Sequence, residues 1–189
     1  MSLFIEIFLI GVGLSMDAFA VSICKGLSMK KIKKRDVFII ALFFGGFQAL
    51  MPFIGWFLGK GFESYITSID HWIAFILLGI IGGKMLIDGI KAEDDEETGE
   101  FKLDLKELFL LAIATSIDAL AVGVTFAFLN VNILTSITLI GVITFVISFA
   151  GVIIGNKVGE YLKNYAEIVG GIILILIGVS IFLEHTVLA

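Results

Sequence analysis

Apolar residues fill this chain in blocks of about 20, the length a helix needs to cross a bilayer, and polar residues gather in the gaps. Six blocks can be traced: Leu3–Cys24, Val37–Gly59, Trp72–Ile90, Leu108–Phe128, Ile133–Ile154 and Glu167–Leu183. In hydrocarbon no water satisfies a backbone amide, so a spanning segment must pair its own N–H and C=O groups, as a helix does. A membrane barrel would instead show alternating segments of about 10 residues. The pattern predicts an all-α polytopic membrane protein with six transmembrane helices. Composition agrees: 59% of the 189 residues are hydrophobic and only 16% charged, and the mean hydropathy is +1.09, which excludes a soluble globular domain. The net charge of −5 reflects one acidic run, Glu93–Glu107, and the single cysteine, Cys24, precludes an intrachain disulfide. No basic residue precedes the first block and Asp17 lies within it, so it reads as a permanent span and not as a cleaved signal.

Basic residues predict the orientation. Lys25, Lys30, Lys31, Lys33, Lys34 and Arg35 lie in the first gap, Lys91, Lys102 and Lys106 in the third, and Lys157 and Lys163 in the fifth. Only Lys60 lies in a gap on the other side, and Lys84 lies within a block. The basic gaps are therefore expected in the cytoplasm of a bacterial cell (inner) membrane, with both termini outside.

Two of the blocks are copies of one another. Residues 6–23 and 107–124 match at a constant offset of 101, with identities that include Glu6/Glu107, Ser15/Ser116, Asp17/Asp118 and Ala20/Ala121. Beyond them Gly55 and Gly59 match Gly155 and Gly159 at an offset of 100, which sets Gln48 opposite Ser148. Gly82, Lys84 and Asp88 align with Gly178, Ser180 and Glu184 at an offset of 96. Three spans per copy turn the second copy upside down, giving two inverted three-helix repeats at 1–91 and 107–189 with an acidic cytoplasmic linker at 92–106. Inverted repeats recur in secondary transporters, with the site near the midplane where the halves meet. Asp17 and Asp118 each lie 11 residues past the matching glutamate, roughly 16 Å into the span at ~1.5 Å per residue, so from opposite faces both reach the same depth.

An aspartate at the centre of a membrane helix costs about 2.5–3.5 kcal/mol on insertion scales, and this chain carries two in matching places. Two facing carboxylates in a dry site either share protons or hold a cation between them. Their expected neighbours supply oxygen. Pro52 lacks the N–H that would bond the carbonyl of Gln48, Thr115 lies three residues before Asp118 and Thr125 seven after it, and Ser148 occupies the position matched to Gln48. Carboxylate, amide and hydroxyl oxygens suit hard divalent ions. His71 and His185 fall outside the blocks, against a zinc-type site. The candidate metal residues are thus Asp17, Asp118, Gln48, Ser148 and Thr115.

Each feature also has a plainer reading. A lone aspartate or Gln48 can hydrogen-bond a neighbouring helix, Thr115 and Thr125 can bond back to their own helix, and Cys24 can be inert packing. Lys84 and Asp88 can pair within their helix or, with Glu184, balance charge at a gate; Glu6 and Asp70 read as solvated rim groups. The glycine spacings read as close helix packing. Gly79-Ile-Ile-Gly-Gly-Lys84 is one residue short of a phosphate loop and buried in a span, which excludes ATP chemistry there. The acidic linker reads as a solvated segment, and the basic first gap as one attracted to anionic lipid.

Ser15-Met16-Asp17-Ala18-Phe19-Ala20-Val21-Ser22 and Ser116-Ile117-Asp118-Ala119-Leu120-Ala121-Val122-Gly123 resemble the paired motifs of the manganese efflux pump (MntP) family of small bacterial membrane proteins. Pro52-Phe53-Ile54-Gly55-Trp56, His71-Trp72-Ile73-Ala74-Phe75, Gly82-Gly83-Lys84-Met85 and Ala166-Glu167-Ile168-Val169-Gly170-Gly171 extend the likeness over nearly the whole chain. The resemblance implies six helices, export of Mn²⁺ from the cytoplasm as transported substrate and not as cofactor, and functional importance for Asp17 and Asp118. Some similar sequences are acidic where this chain has Gln48. Protons are the candidate counter-ion, the lipid bilayer the surrounding partner, and no nucleic acid or enzymatic activity is expected. Two other readings share the paired carboxylates. One is an exporter of small organic cations such as amino acids. The other is a diaspartyl intramembrane protease, whose Gly-x-Gly-Asp sequence is absent because Leu14 follows Gly11-Val12-Gly13.

Overall fold

The structure, a computed structural model, describes residues 3–29, 32–59, 75–76, 79–83, 86–87, 90, 103–128, 131–162 and 166–187, and no strand occurs among them. The helices bounded among the described residues are α1 (Leu3–Leu27), α2 (Lys34–Leu58), α3 (Leu105–Ala114), α4 (Ile117–Phe128), α5 (Ile133–Leu162) and α6 (Ala166–Val187), and the described residues of 75–90 are helical too. Three of them contain spans long and apolar enough to cross a membrane: Phe4–Leu27, Lys34–Leu58 and Ile133–Gly159. α3 and α4 together are apolar enough to cross as a fourth, broken span, and they bend by 45° where they join. The regular structure of the described residues is thus entirely helical, with at least three candidate spans, as in a multi-pass membrane protein. The third expected span, Trp72–Ile90, lies partly outside the described residues, as does most of the acidic linker.

Helix ends run past the apolar blocks because backbone pairing continues into the interface. Thus α1 carries on beyond Cys24 to Leu27, with Lys25 in its last turn, and α2 starts at Lys34 with Asp36 in its first turn. Both charges oppose the local end of the helix dipole. α3 is capped by Asp104, whose carboxylate accepts from the backbone N–H of Lys106 at 2.8 Å and of Glu107 at 3.4 Å. The last part of the acidic run is therefore a helix cap and not only solvated chain. Phe57, Leu134, Val146 and Leu176 stand exposed on the outside, the apolar surface a bilayer covers.

Glycines set the packing. The position a Cβ would take on Gly11 touches Ile143, that on Gly151 touches Phe19, that on Gly155 touches Ile23, and that on Gly159 touches Leu27. These contacts keep a constant step of 132 (151 minus 19), so α1 and α5 run side by side in the same direction. Gly55 meets Leu120 and Val124, Gly59 meets Val124 and Ala127, and Gly123 meets Pro52, so α2 and α4 also run in the same direction. Between these pairs α2 and α5 are opposed: Gly45 meets Gly141 and Phe145, and Gly141 meets Ala49. At Gly55, Gly123 and Gly155 a methyl group would strike backbone atoms of the neighbouring helix. Only glycine permits that approach.

Two apolar clusters result. The larger joins Ala18, Val21 and Cys24 of α1 to Val37, Ile40 and Phe44 of α2, Leu108, Leu111, Ala112 and Ala114 of α3, Val152 of α5 and Leu174 of α6. The smaller joins Ile7, Phe126 and Ile140, with Ile10, Leu14 and Val122 packed against them. Along α1 the boundary between clusters falls between Leu14 and Ala18. Along the α3–α4 pair it falls between Ala114 and Val122. Both Ser-x-Asp motifs lie in that boundary layer.

Candidate metal-ion site

Asp17 is half-buried in the middle of α1, which passes through its motif unbroken. The Ser15 hydroxyl, fully buried, donates back to the Val12 carbonyl at 2.7 Å, so the first motif keeps its own helix intact. The second motif differs. α3 ends at Ala114, Thr115 and Ser116 form a turn, and α4 begins at Ile117 with Asp118 in its first turn. The expectation of one continuous helix over Leu108–Phe128 is therefore corrected to a broken span.

A break inside a bilayer leaves carbonyls and N–H groups without ladder partners, and local side chains serve them. The Ala112 carbonyl, whose i+4 N–H turns to Ile113, accepts instead from the Ser116 hydroxyl at 2.6 Å, and the Thr115 hydroxyl adds a bond at 3.0 Å to the Leu111 carbonyl, which also accepts from the Thr115 N–H. The Asp118 carboxylate accepts from the Ala119 N–H at 2.8 Å. The carboxylate thus sits in the first turn of α4, at the N-terminal end of a half-helix. The turn also sets Thr115 outside the helix that carries Asp118 and Thr125. Thr125 is exposed and bonds back to the Ala121 carbonyl at 3.3 Å.

Gln48 is fully buried in α2, and its Nε2 donates to the Leu14 carbonyl at 3.0 Å, one turn before Asp17 on α1. Its Oε1 is buried with no hydrogen-bond partner, and so is the hydroxyl of Ser148. A buried orphan polar atom costs about 1–3 kcal/mol. The helix hydroxyls of Ser15, Thr115, Ser116, Ser136 and Thr144 all avoid that cost by donating three or four residues back. Ser148 does not, although the same bond is open to any helical serine. Gln48 and Ser148 are the two positions matched by the sequence repeat.

Helix registers set the levels. Pro52 touches Gly123; Gln48 lies four residues before the one and Asp118 five before the other, so at ~1.5 Å per residue they differ by about 2 Å in height. The step of 132 between α1 and α5 sets Asp17 level with residue 149, beside Ser148. Each aspartate therefore shares its level with the buried polar residue of the other half's second helix. Among the described residues no three His, Cys, Asp or Glu side chains gather, so the oxygens at this layer are carboxylate, amide, hydroxyl and carbonyl.

Met16 is exposed and Cys24 is fully buried as a free thiol within the larger cluster. Lys84 and Asp88 lie outside the described residues, and so does the side chain of Glu184. Sequence reasoning missed three features. The Ser22 hydroxyl is a third buried orphan. Asn156 Nδ2 donates to the Met29 carbonyl at 2.6 Å. Lys25, read as part of the basic first gap, is buried and paired with Glu107 at 2.7 Å. No local sequence signal joins residues so far apart; only the repeat, by marking Glu107 as a motif position, singled one of them out.

The profile of a protein family described as "Putative manganese efflux pump" matches residues 31–182 of the chain. Relatives carrying that description, with the added designation MntP, occur in Clostridium and Desulfitobacterium. A protein of Clostridium perfringens (strain ATCC 13124) is 56% identical over 203 residues, and one of Clostridium botulinum (strain Langeland) is 59% identical over 191. One of Desulfitobacterium hafniense (strain Y51) is 58% identical over 181. Each comparison covers 96% of this chain and 95% of the relative. No solved structure matches.

Proposed function

The chain belongs to the manganese efflux pump family, a transporter and not an enzyme, and from that premise we propose that it exports Mn²⁺ through a midplane site built on Asp17 and Asp118. Gln48 Oε1 and Ser148 Oγ complete the oxygen set, and the Thr115 hydroxyl oxygen, whose proton is committed to Leu111, keeps lone pairs for the ion. The observation that carries this reading is the pair of buried, unpartnered oxygens on Gln48 and Ser148, at repeat-matched positions and level with the two aspartates. A fold that leaves both orphaned bears a cost of about 1–3 kcal/mol each, and a hard cation removes it.

The two halves act as inverted repeats that rock about the site in alternating access. Matched contacts support this. Gly55 packs on Val124, and Gly155 packs on Ile23, which are the same pair of positions with the halves exchanged. The direction of the helices, α1 with α5 and α2 with α4, is the one inverted copies require. The broken α3–α4 span has the form of the discontinuous helices that line transporter sites, and the matching α1 is continuous, so the two sides of the site are chemically unequal. Protons returning on the same carboxylates displace the ion and drive export. The basic loops face the cytoplasm, and the outward direction follows from the likeness to the manganese efflux pump family.

Inverted membrane vesicles test the reading. Vesicles bearing the wild-type chain take up Mn²⁺ and do so faster with an imposed proton gradient. Asp17→Asn and Asp118→Asn, present at wild-type levels, take up none. Uptake that survives both substitutions would remove the aspartates from the site.

A further inference from the structure

The last turn of α1 and the first turn of α3 meet on the face that carries the basic loops. There Lys25 Nζ donates to Glu107 Oε1 at 2.7 Å across 82 residues of sequence, with the side chains only 9% and 16% exposed. Each charge suits its own helix, the cation at the C-terminal end of α1 and the carboxylate at the N-terminal end of α3. Beside them Asn156 of α5 holds the Met29 carbonyl in the turn after α1. Beneath lie Cys24, Leu108 and Leu111, fully buried in the larger apolar cluster. The ends of α1, α3 and α5 thus meet on the basic-loop side of the aspartate layer.

The repeat does not reproduce this arrangement on the opposite face. Glu6 is the match of Glu107, yet the match of Lys25 is Phe126 and that of Asn156 is Trp56, and Glu6 is exposed. An interaction present in one of two matched places serves one face only. A nearly dry ion pair also suits a two-state contact: closed, each charge neutralises the other; parted, both need water.

We propose that the Lys25–Glu107 ion pair is the latch of a gate on the basic-loop face, closed in this structure, which must part before a cation from that side reaches the aspartate layer. The proposal rests on the transport reading above. Cys24 is the only cysteine and lies directly under the latch, so it reports on opening.

In inside-out vesicles the wild-type Cys24 reacts slowly with N-ethylmaleimide. Glu107→Gln and Lys25→Met each react about tenfold faster, as a shifted open population requires, and the exchanged pair Lys25→Glu/Glu107→Lys reacts more slowly than either. In a second arm, Lys25→Cys and Glu107→Cys on a Cys24→Ala background are bridged by a short bis-methanethiosulfonate. Bridging stops Mn²⁺ uptake, and dithiothreitol restores it. Single variants that react like wild type, or a bridged protein that transports as fast as its reduced form, would overturn the latch. Wild-type vesicles that take up no Mn²⁺ would refute the transport reading, while the maleimide arm still decides the latch.

Discussion

Replacing Gln48 by leucine separates a ligand from a structural amide. The substitution keeps the approximate side-chain volume in a fully buried position of α2. It removes the 3.0 Å bond from Nε2 to the Leu14 carbonyl, worth about 0.5–1.5 kcal/mol net. It also removes the orphaned Oε1, whose burial costs about 1–3 kcal/mol. Leu14 stays in α1, where the helix ladder serves its carbonyl. The balance runs from about 0.5 kcal/mol against the variant to about 2.5 kcal/mol in its favour. Gln48→Leu should therefore unfold in detergent near the wild-type temperature or above it, followed by intrinsic fluorescence. Added Mn²⁺ should stabilise the wild type by about 2.7 kcal/mol at a hundredfold excess over Kd and the variant by much less, and vesicle uptake should fall by tenfold or more at limiting Mn²⁺, a loss of about 1.4 kcal/mol in binding. Gain of stability with loss of transport marks a residue kept for function. A variant that transports and responds to Mn²⁺ like wild type would refute the assignment, and one destabilised by more than about 2 kcal/mol would show the amide to be structural.

Three further outcomes follow from the same geometry. Ser148→Ala removes a buried orphan hydroxyl, so it should leave the protein as stable or up to about 2 kcal/mol more stable while raising the Mn²⁺ concentration for half-maximal uptake. Asp118→Asn retains an oxygen able to accept from the Ala119 N–H, so helical content by circular dichroism should not change, whereas a manganese-sensitive host expressing it should accumulate the metal. Gly155→Ala places a methyl against the backbone of Ile23, and the forced separation of α1 from α5 should cost about 1–3 kcal/mol, read as a lower unfolding temperature.

Some of this was legible in the chain itself. The apolar blocks located α1, α2 and α5 to within a few residues at most ends, because hydrocarbon permits only self-paired backbone. The repeat singled out Asp17, Asp118, Gln48 and Ser148, and two of those four carry buried unpartnered oxygens. The turn at Thr115–Ser116 was not legible. Ser-Met-Asp and Ser-Ile-Asp look alike as sequence, yet α1 is continuous and the α3–α4 span is broken. Nor was the pairing of Lys25 with Glu107, since a lysine beside a run of lysines gives no sign that it turns inward.

Sequence alone determined that the chain lies in a membrane, that two copies of one segment carry one aspartate each, and which oxygen-bearing residues match between them. Those are properties of local composition and spacing, and the solvent enforces them on any fold. Tertiary structure decided which helices touch, that the aspartate layer falls between two apolar clusters, and that only one motif sits at a helix break. Contacts between segments a hundred residues apart depend on how closely two backbones can approach, and glycines such as Gly55, Gly123 and Gly155 settle that only once their partner helices are in place.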